Sequence, residues 1–174
     1  MATTYYGIAE TVMGSMLVAG DGRKLVAIKF GVDERWVAEA VEALSRELHG
    51  TYGLVADERK VRPLIKQLCD YLVGKRKAFD VELDLSWMTP FRRRVMEECA
   101  QVPRGQTSTY AELARRAGSP TAYRAVGRTM ATNPVPIVVP CHRILGSGGG
   151  LRGFGGGLDM KARLLELEGA RLAL

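Results

Sequence analysis

The chain of 174 residues is 47% hydrophobic and 25% charged, and carries a formal charge of +6. That balance excludes global disorder and fits one two-lobed globule or two small domains. No apolar run approaches the ~20 residues needed to cross a membrane, the first residues lack the basic and apolar regions of a secretory leader, and three cysteines cannot all pair with one another. A soluble cytoplasmic protein with reduced thiols is the expectation.

In the first half, Ser15–Ala19 and Lys24–Phe30 are short apolar-rich runs separated by Gly20-Asp21-Gly22, which predicts a two-stranded hairpin. From Asp33 to Leu48, apolar residues recur at Trp36, Val37, Ala40, Val41 and Leu44, with acids in the first turn and Gly50 beyond the end, an amphipathic helix. A second helix is predicted from about Arg62 to Val73, with Pro63 in its first turn and Gly74 after it. Phe79 to Leu85 alternates apolar and acidic residues and reads as a half-buried strand.

After Ser86 the pattern changes to short helices. Thr89-Pro90-Phe91 starts one that ends near Val102–Gly105. Thr109 with Glu112 forms a capping box opening a helix that Gly118 stops, and Ser119-Pro120 predicts an immediate restart through Met130 until Asn133-Pro134. Two short helices joined by a tight turn, with arginines on the second, make a helix-turn-helix. Basic residues outnumber acidic ones by twelve to eleven in residues 1–80, but by thirteen to eight in residues 81–174. Between Cys99 and Leu158 seven arginines face one acid, Glu112, as on a surface that meets a polyanion.

The chemistry concentrates in Asn133–Arg143, where three prolines forbid a helix and predict an extended apolar entry into the core. This run delivers Cys141 and His142 just before a glycine-rich stretch, Gly146–Gly157. A thiol is mostly protonated at neutral pH and needs a neighbouring base to react, and His142 is the one histidine in this half. Neighbouring residues on an extended chain point in opposite directions, so the pair needs a bend or a bridging water. Cys69 and Cys99 read as inert core thiols and His49 as a helix-end residue. No ligand spacing for a metal is present, and no metal or other cofactor is expected.

The stretch Gly105–Ala170 resembles the catalytic domain of the O6-alkylguanine-DNA alkyltransferases. The resemblance rests on Pro140-Cys141-His142-Arg143, on Thr107–Tyr110, Arg124–Gly127, Asn133-Pro134 and Leu164–Gly169, and on Thr89-Pro90-Phe91 at the domain entry. It implies an α+β protein: a small sheet-plus-helix, RNase H-like lobe over 1–86, then a mostly helical DNA-binding and alkyl-acceptor domain over 87–174. It also implies single-turnover repair, in which O6-alkylguanine is flipped from duplex DNA and its alkyl group passes irreversibly to Cys141. In that scheme His142 activates Cys141 through a water, Glu168 orients the imidazole, Tyr110 hydrogen-bonds the departing guanine and Asn133 ties the helix pair to the cysteine loop. Arg124 fills the space of the flipped nucleotide, and Ala125, Gly127, Arg128, Thr107, Ser108 and Tyr123 belong to the DNA contact, in the minor groove. The alkyl pocket takes Phe154, Gly155, Gly156, Val139 and Met130. The implied partner is double-stranded DNA bound by a monomer, with no membrane, in the cytoplasm or on the nucleoid.

Tyr123 stands where a narrow groove favours a small residue, and Phe154-Gly155 stand where many relatives carry Tyr and a hydroxyl residue. Two other readings remain open at this level: a helix-turn-helix damage sensor whose cysteine does not react, and a cysteine hydrolase using Cys141 and His142.

Overall fold

The computed structural model describes residues 1–31, 33 and 35–170, which divide into two compact units, Met1–Trp87 and Met88–Leu174. The first is a five-stranded sheet with two helices. Strands β1 (Ala2–Thr11), β2 (Gly14–Gly20) and β3 (Lys24–Phe30) form an antiparallel meander. Strand β4 (Tyr52–Ala56) adds parallel to β1 and β5 (Glu82–Leu83) parallel to β3, giving the order β4-β1-β2-β3-β5.

Strand β2 is buried from Met16 to Gly20 because both faces of the sheet are covered. Leu17 and Ala19 pack with Trp36, Leu44 and Leu48, so helix α1 (Trp36–Glu47) lies on their side. Helix α2 (Glu58–Leu72) covers the opposite side, where a Cβ at Gly20 would meet Leu64. Its approach is close enough that a Cβ on Gly7 would lie 2.9 Å from the Glu58 Cα, so β1 needs glycine at that point. Burial of each large aliphatic side chain here contributes about 1.5–3 kcal/mol.

Several boundaries differ from the sequence reading. The predicted hairpin and first helix are present, with α1 starting at Trp36; Glu34, one of the acids assigned to that helix start, lies outside the described residues. Helix α2 begins four residues earlier than expected, because the Asp57 carboxylate accepts from the Arg59 N–H and caps it, which leaves Pro63 inside the helix. The alternating run from Phe79 pairs as a strand only at Glu82–Leu83. Upstream, the Gln67 amide takes both backbone groups of Asp80, at 2.8 and 3.0 Å, and Phe79 stacks on Tyr71 with centroids 4.7 Å apart, so side chains replace the ladder.

The second unit holds α3 (Pro90–Ala100), α4 (Tyr110–Arg116), α5 (Tyr123–Ala131) and α6 (Leu158–Leu167). Thr89 caps α3 through the Arg92 N–H with Pro90 in the first turn, and Thr109 caps α4 through the Glu112 N–H at 3.1 Å. The capping box is one-sided: the Glu112 carboxylate pairs with Arg115 instead of reaching back. Helix α5 starts at Tyr123, not at Ser119, since residues 119–122 form a turn closed by the Ala122 N–H on the Ser119 carbonyl. No helix among the described residues is long and apolar enough to cross a membrane.

Candidate active site

The prolines of 134–140 do not produce the extended run expected from the sequence. The segment folds into turns, with the Val139 N–H on the Val135 carbonyl and the Cys141 N–H on the Val139 carbonyl. Its apolar side chains do reach the core: Val135, Ile137 and Val139 are at most 1% exposed. Ile137 takes a φ of 74°, a costly conformation for a β-branched residue that persists only where surrounding structure imposes it. Asn133 supplies part of that imposition. Its side-chain N–H donates to the Val139 carbonyl and its oxygen accepts from the Val135 N–H, both at 2.9 Å, which joins the end of the helix pair to the turn before the cysteine.

Cys141–Arg143 then forms one turn of 3₁₀ helix, the bend that a neighbouring Cys-His pair requires. The chain leaves it as β7 (Ile144–Leu145), which pairs in parallel with β6 (Ser108–Thr109). That two-residue ladder sets the register between the cysteine turn and Tyr110, the first residue of α4.

A buried polar cluster surrounds the turn. The His142 Nε2 lies 2.8 Å from the Glu168 Oε1. Arg143 donates to the same carboxylate through Nε and Nη2, at 2.8 and 2.9 Å, and through Nη1 to the Val102 carbonyl at 2.6 Å. With Nε2–H given to a carboxylate, His142 Nδ1 is the basic nitrogen, and this buried atom has no hydrogen-bond partner among the described residues. Burial lowers the affinity of His142 for a proton, a trend that Glu168 opposes, so the resting imidazole is neutral. Burial likewise raises the Cys141 thiol, with the Asn133 amide and the Lys161 ammonium opposing, so the resting group is the thiol.

Lys161 is the member of the cluster that sequence reasoning missed. It is fully buried on α6, donates to the Ile144 carbonyl at 2.7 Å and to the Arg152 carbonyl at 3.2 Å, and thereby ties the chain after the cysteine turn to the glycine-rich loop. The available signal was its place with Leu164 and Leu165 on the buried stripe of α6. Arg143 was visible only as the last letter of a motif; its ion pair depends on Glu168, 25 positions away.

Beside this cluster lies a cleft of about 500 Å³. Tyr110, Tyr123 and Phe154 give it aromatic walls, Gly127 and Ala131 of α5 form one side, and Arg152, Gly153 and Gly155 another. Of the residues expected at the alkyl pocket, Phe154 and Gly155 line this cleft. Val139 and Met130 are core residues, 0% and 6% exposed, and Gly156 faces Met160 and Phe154. Burial raises Tyr110, which keeps its phenol protonated as a donor.

On α5, Arg124 and Arg128 are exposed and Ala125 and Gly127 half-buried. Tyr123 is 49% exposed, with the Arg124 guanidinium 5.9 Å from its ring centroid. Thr107 is exposed and Ser108 sits in β6.

Residues 4–85 match the model of the ribonuclease-like domain of 6-O-methylguanine DNA methyltransferase, and residues 90–170 that of its DNA-binding domain. The chain is 47% identical to a methylated-DNA–protein-cysteine methyltransferase of Mycobacterium bovis, over 96% of this chain and 93% of the relative. Identity is 37% to that of Methanosarcina acetivorans, over 95% and 99%. The fold matches the Mycobacterium tuberculosis OGT in complex with DNA at a TM-score of 0.76 and 33% identity, over 97% of this chain and 93% of that one. With both halves of the chain matched in order, and with Cys141, His142 and Glu168 gathered at one buried site, this protein belongs to the 6-O-methylguanine DNA methyltransferase family.

Proposed function

We propose that this chain repairs duplex DNA by moving the alkyl group of an O6-alkylguanine onto Cys141, once per molecule. The observation that carries the reading is the His142–Glu168 contact, which presents a neutral Nδ1 as base next to a buried thiol. In the displacement, the thiol proton passes to Nδ1 through a bridging water, the Sγ–carbon bond forms as the carbon–O6 bond breaks, and the guanine leaves as an anion. Tyr110, held protonated, donates to that anion. The thioether is stable and nothing restores the thiol, so the protein is consumed stoichiometrically.

The DNA contact is assigned to α5 as a monomer in the minor groove, with Arg124 replacing the flipped nucleotide and Arg128, Thr107 and Ser108 at the backbone. A Cβ on Gly127 would meet no atom within 4 Å from the described residues outside its own helix turn, so packing there does not demand glycine. Its smallness suits a partner that approaches from outside. Tyr123 lines the cleft, and this supports a role beside the flipped base more than one deep in a groove. The DNA partner and free thiols fit a cytoplasmic or nucleoid location.

Intact-mass measurement after incubation with an O6-methylguanine duplex tests the reading. Wild type should gain one methyl group and stop, and Cys141→Ala should gain none while still binding DNA. Repeated turnover on esters or amides, or DNA binding without any mass gain by wild type, would overturn it in favour of hydrolysis or sensing.

A further inference from the structure

Arg152 is the one charged residue among the described residues that line the cleft. Its side chain makes no ion pair with any described carboxylate. Its backbone is anchored, since the carbonyl accepts from the buried Lys161 ammonium. Its side chain runs against Gly146, where a Cβ would come within 2.8 Å of the Arg152 Nε; any larger residue at 146 would displace it. Its charge acts on the phenol of Tyr110, which also lines the cleft.

The charge around it is one-sided. Lys161 donates only to backbone carbonyls. Glu168, the acid of the buried cluster, is engaged by both Arg143 and His142. A cation at a cleft otherwise walled by aromatic rings, glycine and Ala131 contributes nothing to recognition of a methyl or other uncharged alkyl group. It does contribute to a group that brings its own negative charge, because a carboxylate can take charge-assisted hydrogen bonds from a guanidinium.

We infer that Arg152 makes this cleft selective for O6-guanine adducts whose transferred group ends in a carboxylate, of which O6-carboxymethylguanine is the simplest. The inference rests on the proposed alkyl transfer and names its favoured substrate class. The step balances as for methyl: the bond from Cys141 Sγ to the methylene carbon forms as the methylene–O6 bond breaks, the thiol proton goes to His142, the guanine anion is stabilised by Tyr110, and the product is S-carboxymethylcysteine. Arg152 holds the distal carboxylate and takes no part in bond making.

The test compares single-turnover rates on duplexes carrying O6-carboxymethylguanine and O6-propylguanine, groups of similar size that differ in charge, and O6-methylguanine as reference. The same three adducts are run as free bases, which removes every phosphate. Wild type should favour carboxymethyl over propyl by about ten- to a hundred-fold. Arg152→Gln should bring that ratio to near one in both formats, and Arg152→Lys should keep most of it. A wild-type ratio near one would overturn the inference, as would a ratio that Arg152→Gln leaves intact. So would a uniform loss on all three duplexes with no change in ratio, which would assign Arg152 to a DNA phosphate. Absence of transfer from all three adducts would instead sink the alkyl-transfer reading beneath it, whereas transfer of methyl without the carboxymethyl preference would sink only this inference.

Discussion

The two units bury their polar groups differently. In the first, the described residues that are buried and polar reduce to Thr4, which donates to the Gly20 carbonyl, and the ion pairs are exposed or partly exposed. In the second, His142, Arg143, Lys161 and Glu168 are all buried, beside Thr129 and the buried thiols of Cys99 and Cys141. Replacing such charged groups by apolar ones often stabilises a protein, so their retention beside the Cys141 turn marks a site built for chemistry at some cost to stability. The sheet of the first unit has the opposite character: the buried stretch of its central strand, Met16 to Gly20, is apolar, and glycines such as Gly7 and Gly20 stand where neighbouring chain comes close.

That contrast can be broken by substitution. The largest effect is expected at Cys141→Ala, which should abolish transfer while leaving DNA affinity in a gel-shift titration within about threefold, because affinity comes mainly from backbone contacts elsewhere. Glu168→Gln should follow. Loss of the oriented base should slow quench-flow single-turnover transfer by about 10²–10⁴. Leaving Arg143 buried without its charge partner should cost about 3–5 kcal/mol in urea unfolding. Leu17→Ala, in the apolar core of the first unit, should cost about 2–5 kcal/mol by the same unfolding assay, yet leave the rate per folded molecule unchanged. A rate loss there as large as for Glu168→Gln would erase the distinction between the units.

The pH dependence sharpens the same point. His142 takes up its proton below the ordinary histidine value of 6.5, and only the neutral form can act as base, so the transfer rate should stay level as pH falls through 6.5 and decline below it. Cys141 loses its proton above the ordinary thiol value of 9.0, so no alkaline rise is expected before that pH. The folded state also binds fewer protons than the unfolded chain near and below pH 6.5, so His142 removes stability as the solution is acidified across that range. A rate that halves at 6.5 or above would mean that the imidazole is not desolvated. The smallest effect belongs to the surface: Lys29→Ala, which removes the partly exposed pair with Glu47, should change stability by less than about 1 kcal/mol.

The site was more legible than the sheet. Cys141, His142, Glu168, Tyr110 and Asn133 sit in short motifs, and Thr89 and Thr109 announce helix starts through local capping geometry. Strands β1 and β4 escaped notice because neither carries a clean alternation: β1 includes Thr3-Thr4-Tyr5-Tyr6-Gly7, and β4 starts Tyr52-Gly53, so their pairing is set by partners distant in the chain. The starts of α2 and α5 were misplaced for a related reason. Pro63 and Pro120 look like first-turn residues, but Asp57 offers α2 an earlier cap and the 119–122 turn delays α5. The roles of Arg143, Lys161 and Arg152 depend on which carbonyl or carboxylate each reaches, and no spacing within one element encodes that.

Peptide-level mass mapping after titration with an O6-methylguanine duplex tests the central claim most directly. The account predicts one methyl group per protein at saturation, all of it on Cys141, with Cys69 and Cys99 unmodified. Methyl on either of those thiols, or more than one base repaired per molecule, would contradict it.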